Sequence, residues 1–254
     1  MISIDNDTLK ITLHAPDGGK GYYRGTRFDR AGVFAGIEYR GCNYCEEWFE
    51  NYSPFMHDAV CGPAEEFSPV GLEEALTGEP FLKIGVGVLE KMEGAYDRFK
   101  LHRILDPGRR TLEVSDGAVI FGHMIDSEIG YAYEYFKEIA ITGASSFRIR
   151  HRLVNKGSKA IEGNVYNHNF FTLGLHETGE SRQLDFPFRP EGDWRAEYSE
   201  VGFTDTGIRF TRNLLKGESV FTGNLHEAGK GLTGSPNAFR LLETRTGRGV
   251  RAVC

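Results

Sequence analysis

Cysteine is scarce, with four residues in 254, and tryptophan occurs only twice. Cys42 and Cys45 form a C-x-x-C, but no second ligand pair and no strand–helix redox context accompanies them. They read as reduced thiols near a loop. No block of lysine or arginine is present, and the net charge is −6. That balance weakly repels phosphate backbones and excludes a nucleic-acid groove. The opening "MISIDNDTLKITLHAPDGG" has no basic segment and no long apolar run. Neither a signal peptide nor a membrane span is expected, and the cytoplasm is the expected location. His-x-His, H-E-x-x-H and EF-hand spacings are missing, so no metal is expected. With no P-loop and no helix opened by G-x-G-x-x-G, no cofactor is expected either. A Ser–His–Asp hydrolase would need a G-x-S-x-G, which is absent. Helical periodicity is also rare.

Alternation and glycine are what the chain has. Glycine occurs 32 times, as tight turns demand. "SSFRIRHRLVNKG" sends Phe147, Ile149, His151 and Leu153 one way and Arg148, Arg150 and Arg152 the other. "YAYEYFKEIAI" puts Tyr131, Tyr133, Tyr135, Ile139 and Ile141 on one face. "TLEVSDGAVIFGHMI" breaks at Asp116-Gly117, a two-residue hairpin signal. "IRFTRNLL", "SVFTGNL" and "AFRLLETRTGRGVRAV" continue the pattern. Many antiparallel strands on short turns predict an all-β fold of large packed sheets, with few short helices. Residues 61–79, "CGPAEEFSPVGLEEALTGE", carry few strand signals. They read as a long irregular loop in which Ser68-Pro69 starts a short helical turn.

Chemistry concentrates in "GNVYNHNFFTL". On a strand, Tyr166, His168 and Phe170 share one face, and Asn167 and Asn169 take the other. A histidine between aromatics suits a pyranose, whose C–H faces stack on rings. A buried, hydrogen-bonded core histidine has the same pattern. Arg24, Arg27 and Asp29, in "YYRGTRFD", either rim a cleft or form a solvated turn with arginine packed on tyrosine. Glu65 and Glu66 point opposite ways if extended, so only one reaches a cleft; the alternative is a charged loop surface. Lys83 in "FLKIGVGVL" shares a strand face with Gly85 and Gly87, where a ligand or another sheet can approach closely. An ion pair with Glu65 or Glu66 is its plainer use.

"YNHNFFTLG" resembles the N-H-S/T-Y-F-N-L segment of the aldose 1-epimerases, in the galactose mutarotase-like superfamily. The preceding "SFRIRHRLVNKGSKAIEGNV" is similar to that family's L-x-V-x-Y-x-V-x-N region. "KGYYRGTRFDRAGVFAGIEYRG" and "GPAEEFSPVGLEEA…FLKIGVGVL" look like a divergent bacterial branch of the superfamily. The resemblance spans most of the chain and implies one galactose mutarotase-like β-supersandwich domain over 1–254. It implies a sugar in an open cleft on one sheet and ring opening by acid–base catalysis. His168 maps onto the acid that protonates the ring oxygen, while a glutamate takes the anomeric proton.

The chain departs from the family at several points. Thr172 stands where a second asparagine is usual. The G-L-H-G histidine has no counterpart, His102 and His123 being loose substitutes that read as surface or edge residues. The base glutamate arrives late in the family, whereas this sequence stops at "RGVRAVC". Glu243 is the last carboxylate and reads as an exposed strand residue. The expectation is a chain that lacks its final strands and leaves edges unpaired.

The expected site is therefore His168 as acid, with Arg27, Glu66, Lys83, Tyr166, Asn167 and Phe170 around the sugar. The expected partner is a small-molecule sugar or an oligosaccharide, with neither nucleic acid nor membrane. The alternatives are a carbohydrate-binding module that kept the cleft without the base, and a polysaccharide lyase. The lyase would recruit Arg27 and Tyr23. The sugar's identity and the oligomeric state stay open.

Overall fold

The computed structural model describes residues 1–174, 177–230 and 238–253, which fall into two compact units, 1–172 and 173–254. Every regular element among the described residues is a β-strand, so the chain is all-β. No described helix is long and apolar enough to cross a membrane.

The first unit runs β1 (Ile2–Asp5), β2 (Leu9–His14), β3 (Val33–Tyr39), β4 (Cys42–Asn43), β5 (Gly62–Phe67), β6 (Pro80–Lys83) and β7 (Gly87–Glu90). It continues with β8 (Ile104–Asp106), β9 (Arg109–Ser115), β10 (Ala118–Asp126), β11 (Ala132–Gly143), β12 (Ser146–Asn155) and β13 (Val165–Phe170). Four antiparallel sheets result, in the orders β1-β2-β3-β4, β12-β11-β10-β9, β6-β7-β8 and β13-β5.

The second unit holds β14 (Arg182–Asp185), β15 (Pro190–Trp194), β16 (Val201–Thr204), β17 (Gly207–Phe210), β18 (Thr222–Glu227), β19 (Ala238–Glu243) and β20 (Arg248–Val253). These form a five-stranded sheet, β16-β17-β14-β19-β20, and a ribbon, β15-β18.

Local chemistry explains the clearest pairings. Ser115 pairs with Ala118 across Asp116-Gly117, and Gly117 takes φ +74°. That left-handed conformation is one that glycine adopts without strain. Alternation on β11 buries Tyr133, Tyr135 and Ile139, and also Lys137. Tyr131, Tyr133 and Tyr135 join Val70, Leu82, Ile84, Val88 and Ile125 in one core cluster. A second cluster forms around Tyr23, Phe28, Val33, Ala59, Val60 and Ala64.

Three expectations are corrected. The stretch expected to be a loop contains β5, whose Pro63, Ala64, Glu65 and Glu66 are all buried. It is a strand because β13 pairs with it in full register, from Val165↔Phe67 to Phe170↔Gly62. Ser68-Pro69 starts no helix; Val70 bridges to Leu82, and 71–74 form a turn. Lys83 does not share a strand with Gly85 and Gly87: it ends β6, the chain turns at 84–86, and Gly87 faces it across the hairpin.

Candidate functional site

The β13-β5 ribbon positions the site. Residues directly opposite on paired strands project to the same side. Tyr166 opposes Glu66, His168 opposes Ala64, and Phe170 opposes Gly62. The three ring-bearing side chains and Glu66 therefore share one face. The small partners Ala64 and Gly62 leave room for the larger rings across from them. Asn167 opposes Glu65 and lies on the other face, so it is not brought to His168.

His168 is half-buried at the end of a stack. Its ring lies 3.8 Å from that of Phe170 at 9°, and Phe170 in turn stacks on Trp48 at 5.1 Å. Both faces of Phe170 are thus occupied by other rings, and it orients the imidazole. Trp48 is fixed by its indole N–H, which donates to Val60 O at 3.1 Å. Phe28 and Tyr166 meet the imidazole edge-on at 5.9 and 5.5 Å. Tyr166 is 54% exposed. No described residue hydrogen-bonds either ring nitrogen of His168, so the sealed, fully bonded core histidine is not what is found. Burial, then the Arg27 charge, lower its pKa below the ordinary 6.5, while Glu66 and Asp58 pull the other way.

Around this face stands a charged group. Arg27 Nε donates to Glu66 Oε2 at 2.9 Å, and Arg98 Nη1 lies 3.2 Å from Glu66 Oε1. The Arg27 guanidinium sits 4.5 Å from the Phe28 ring centre and 5.1 Å from that of Phe99. Arg27 is buried, so the solvated turn is excluded for it. Arg24 packs on Phe55 at 4.2 Å instead. Lys83 is 1% exposed and donates to the Tyr96 hydroxyl at 3.1 Å. Burial brings its amine down to about 8 and pushes Tyr96 up to about 12. Glu66 acts on Lys83 through its charge but forms no ion pair with it. Asp58 carries a carboxylate whose one described partner is His57, Nδ1 to Oδ1 at 3.5 Å.

The opposite side of β5 is interior. Glu65 is 3% exposed and pairs with the buried Lys137 amine and with His151 Nε2 at 3.3 Å. Lys137 also donates to Ala31 O at 3.0 Å. The Tyr135 hydroxyl lies 2.9 Å from both Asp29 Oδ2 and His151 Nδ1. Glu65 and Glu66 thus point opposite ways, as extended geometry requires, but both are buried and paired rather than on a charged loop surface.

Other expectations change. His102 is 5% exposed and His123 fully buried, so neither is a surface or edge residue. His123 lies on a central strand, with Nδ1 2.8 Å from the Tyr133 hydroxyl and Nε2 3.0 Å from Pro107 O. Glu243 is fully buried in the second unit and not an exposed strand residue. It accepts from the Arg245 and Thr246 backbone N–H groups at 3.1 and 3.2 Å. Backbone and hydroxyl donors outweigh desolvation and hold its pKa at about 2, which makes it a turn cap. Tyr23 is 3% exposed; its hydroxyl donates to His57 O at 3.0 Å and accepts from Phe28 N–H at 3.1 Å.

A depression of about 580 Å³ in the second unit, lined by Glu191, Asp193, Asp205 and His226 among others, holds none of the expected residues. No group of His, Cys, Asp and Glu that could hold a metal ion occurs among the described residues. The sequence pointed to Arg27, Glu66, Lys83, Tyr166, His168 and Phe170, and these gather on or beside one face. Arg98, Phe99, Trp48 and Asp58 were missed, because nothing in their local spacing marks them. Comparison with protein-family models, with curated proteins and with solved structures found no match.

Proposed function

We propose that the first unit handles a pyranose sugar, and that it interconverts the anomers of an aldose in the manner of the aldose 1-epimerases. The observation that carries the reading is His168: a half-buried imidazole with no partner on its nitrogens among the described residues, fixed by stacking, on a face that also bears charged groups. In this reaction His168 protonates the ring oxygen as the C1–O5 bond breaks. A carboxylate accepts the anomeric hydroxyl proton as the C1=O1 bond forms. The aldehyde turns about C1–C2, and the same groups reverse their roles on closure.

Glu66 is poorly suited as the base, since each of its oxygens faces a guanidinium. Asp58, whose carboxylate has a single described partner, His57, is the freer of the two for this role. We place the activity in the cytoplasm, where the free thiols of Cys42, Cys45 and Cys61 stay reduced. A second reading, a sugar-binding surface without turnover, is favoured by the engagement of Glu66. Tyr23 has its hydroxyl bonded on both sides and is not available as a lyase base.

Polarimetry with freshly dissolved α-glucose and α-galactose tests the reading. A positioned general acid is worth roughly 10² to 10⁴ in rate, so His168→Asn should lose about that much while melting at the wild-type temperature. Because the His168 pKa is lowered, the imidazolium is the minor form at neutral pH, and the histidine limb of kcat/KM should rise as pH falls below 7. Wild-type protein that binds sugar without accelerating mutarotation leaves the binding surface as the function. Acceleration that survives His168→Asn removes His168 as the acid.

A further inference from the structure

We propose that the sugar taken by this face carries an anionic group, a carboxylate or a phosphate, and that Arg27 and Arg98 receive it. The inference rests on the reading of the face as a sugar site and adds the class of sugar.

Arg27 is the principal observation. Its side chain is 10% exposed, and Nε is held by Glu66. No described residue accepts a hydrogen from its two terminal nitrogens. A guanidinium carries five donors in a planar fork, four of them on the two terminal nitrogens. The two phenyl rings beside it, Phe28 and Phe99, pack against the guanidinium without supplying an acceptor. The fork is therefore oriented by Glu66, with terminal donors that reach solvent and are free, a geometry that matches two oxygens of a carboxylate or phosphate.

The neighbours add to this. Arg98 is half-exposed, and its one described contact is Glu66 Oε1. Glu66 bridges the two guanidiniums and sets their spacing. Lys83 adds a third cation behind them, bonded to Tyr96. Three cations, Arg27, Arg98 and Lys83, thus gather about Glu66 within a chain whose net charge is −6. Positive charge concentrated against the average of the molecule is a recognition feature. A neutral hexose would meet these donors with hydroxyls alone.

Titration calorimetry on the full chain, with sodium glucuronate, sodium galacturonate, glucose 6-phosphate, glucose and galactose, decides the matter. At least one charged sugar should bind about tenfold or more tighter than its neutral counterpart, with the margin shrinking as salt is added. The uronate and phosphate arms identify which anion is preferred. Arg98→Met, at a half-exposed position, should erase most of the margin by weakening the charged sugar far more than glucose. Arg27→Lys keeps the charge and loses the fork, and should weaken the charged sugar selectively. Equal affinity for charged and neutral sugars, or a margin that survives both substitutions, overturns the inference. Equal affinities with catalysed mutarotation remove the anion alone, and anion preference without mutarotation removes the epimerase reading alone.

Discussion

A lysine ammonium with 1% of its side chain exposed must be paired, and Lys137 is paired with Glu65. Burial alone would raise the Glu65 carboxyl, but Lys137 and His151 together draw it down to about 2. Such a pair adds little to stability when intact, yet breaking it strands a charge. Lys137→Met should therefore cost about 3–5 kcal/mol in urea unfolding, and adding Glu65→Gln should recover most of that loss. If the double variant is no more stable than Lys137→Met alone, the pair is not what Lys137 contributes. The alternation of "YAYEYFKEIAI" already places residue 137 on the interior face, between Tyr135 and Ile139. A lysine at that position is a sequence signal for a buried acid elsewhere, although nothing local says that the acid is Glu65.

At the scale of elements, β5 decides where the site lies, since one strand sends Glu65 inward and Glu66 to the His168 face. Gly62 opens it at φ +65°, and a Cβ there would meet Cys45 Sγ at 2.9 Å and Phe34 Cβ at 3.0 Å. Left-handed backbone costs an ordinary residue about 1–2 kcal/mol and overpacking about 1–3 more, so Gly62→Ala should destabilise by about 2–4 kcal/mol. Because Gly62 opposes Phe170, the same change should lower sugar affinity, whereas Gly117→Ala, at an open hairpin turn, should not. An unaltered Gly62→Ala protein in both measurements would show that the crowding relaxes without consequence. β5 was the least legible strand: Gly62-Pro63 reads as a turn, and two adjacent glutamates read as surface. Its strand character comes from long-range partners, β13 and Lys137, that no window of the sequence contains. By contrast β9 to β12 were legible because period-two alternation and the Asp-Gly turn are local. The site divides the same way. Tyr166, His168 and Phe170 follow from alternation along one strand, while Arg98, Phe99 and Asp58 reach it through the folding of separate segments.

For the whole molecule, buried titratable groups set how stability depends on pH. His123 is fully buried; desolvation first, then the Arg110 charge, bring its pKa from 6.5 down to about 3. Across that interval the unfolded chain binds a proton that the folded chain refuses. The contribution of this group is thus constant above 6.5 and falls as pH drops, by at most about 1.4 kcal/mol per pH unit. His14 and His168 are lowered as well and act with the same sign. Glu65 joins below 4.5, losing its contribution as pH falls toward about 2. Asp29 opposes them: burial raises its carboxyl, so it favours the folded state increasingly as pH falls through its raised pKa toward 3.8. The measured curve is the sum, and His123 can be isolated from it by difference. His123→Gln keeps a polar side chain beside Tyr133 and Pro107 O and removes the titration. Urea unfolding at pH 7, 6, 5 and 4 should show the wild type losing stability more steeply than this variant below 6.5, with parallel curves above it. Curves that stay parallel down to pH 4 would mean that His123 is protonated as readily in the folded chain as in the unfolded one, and that acid sensitivity comes from the remaining histidines and from carboxylates such as Glu65 and Glu243.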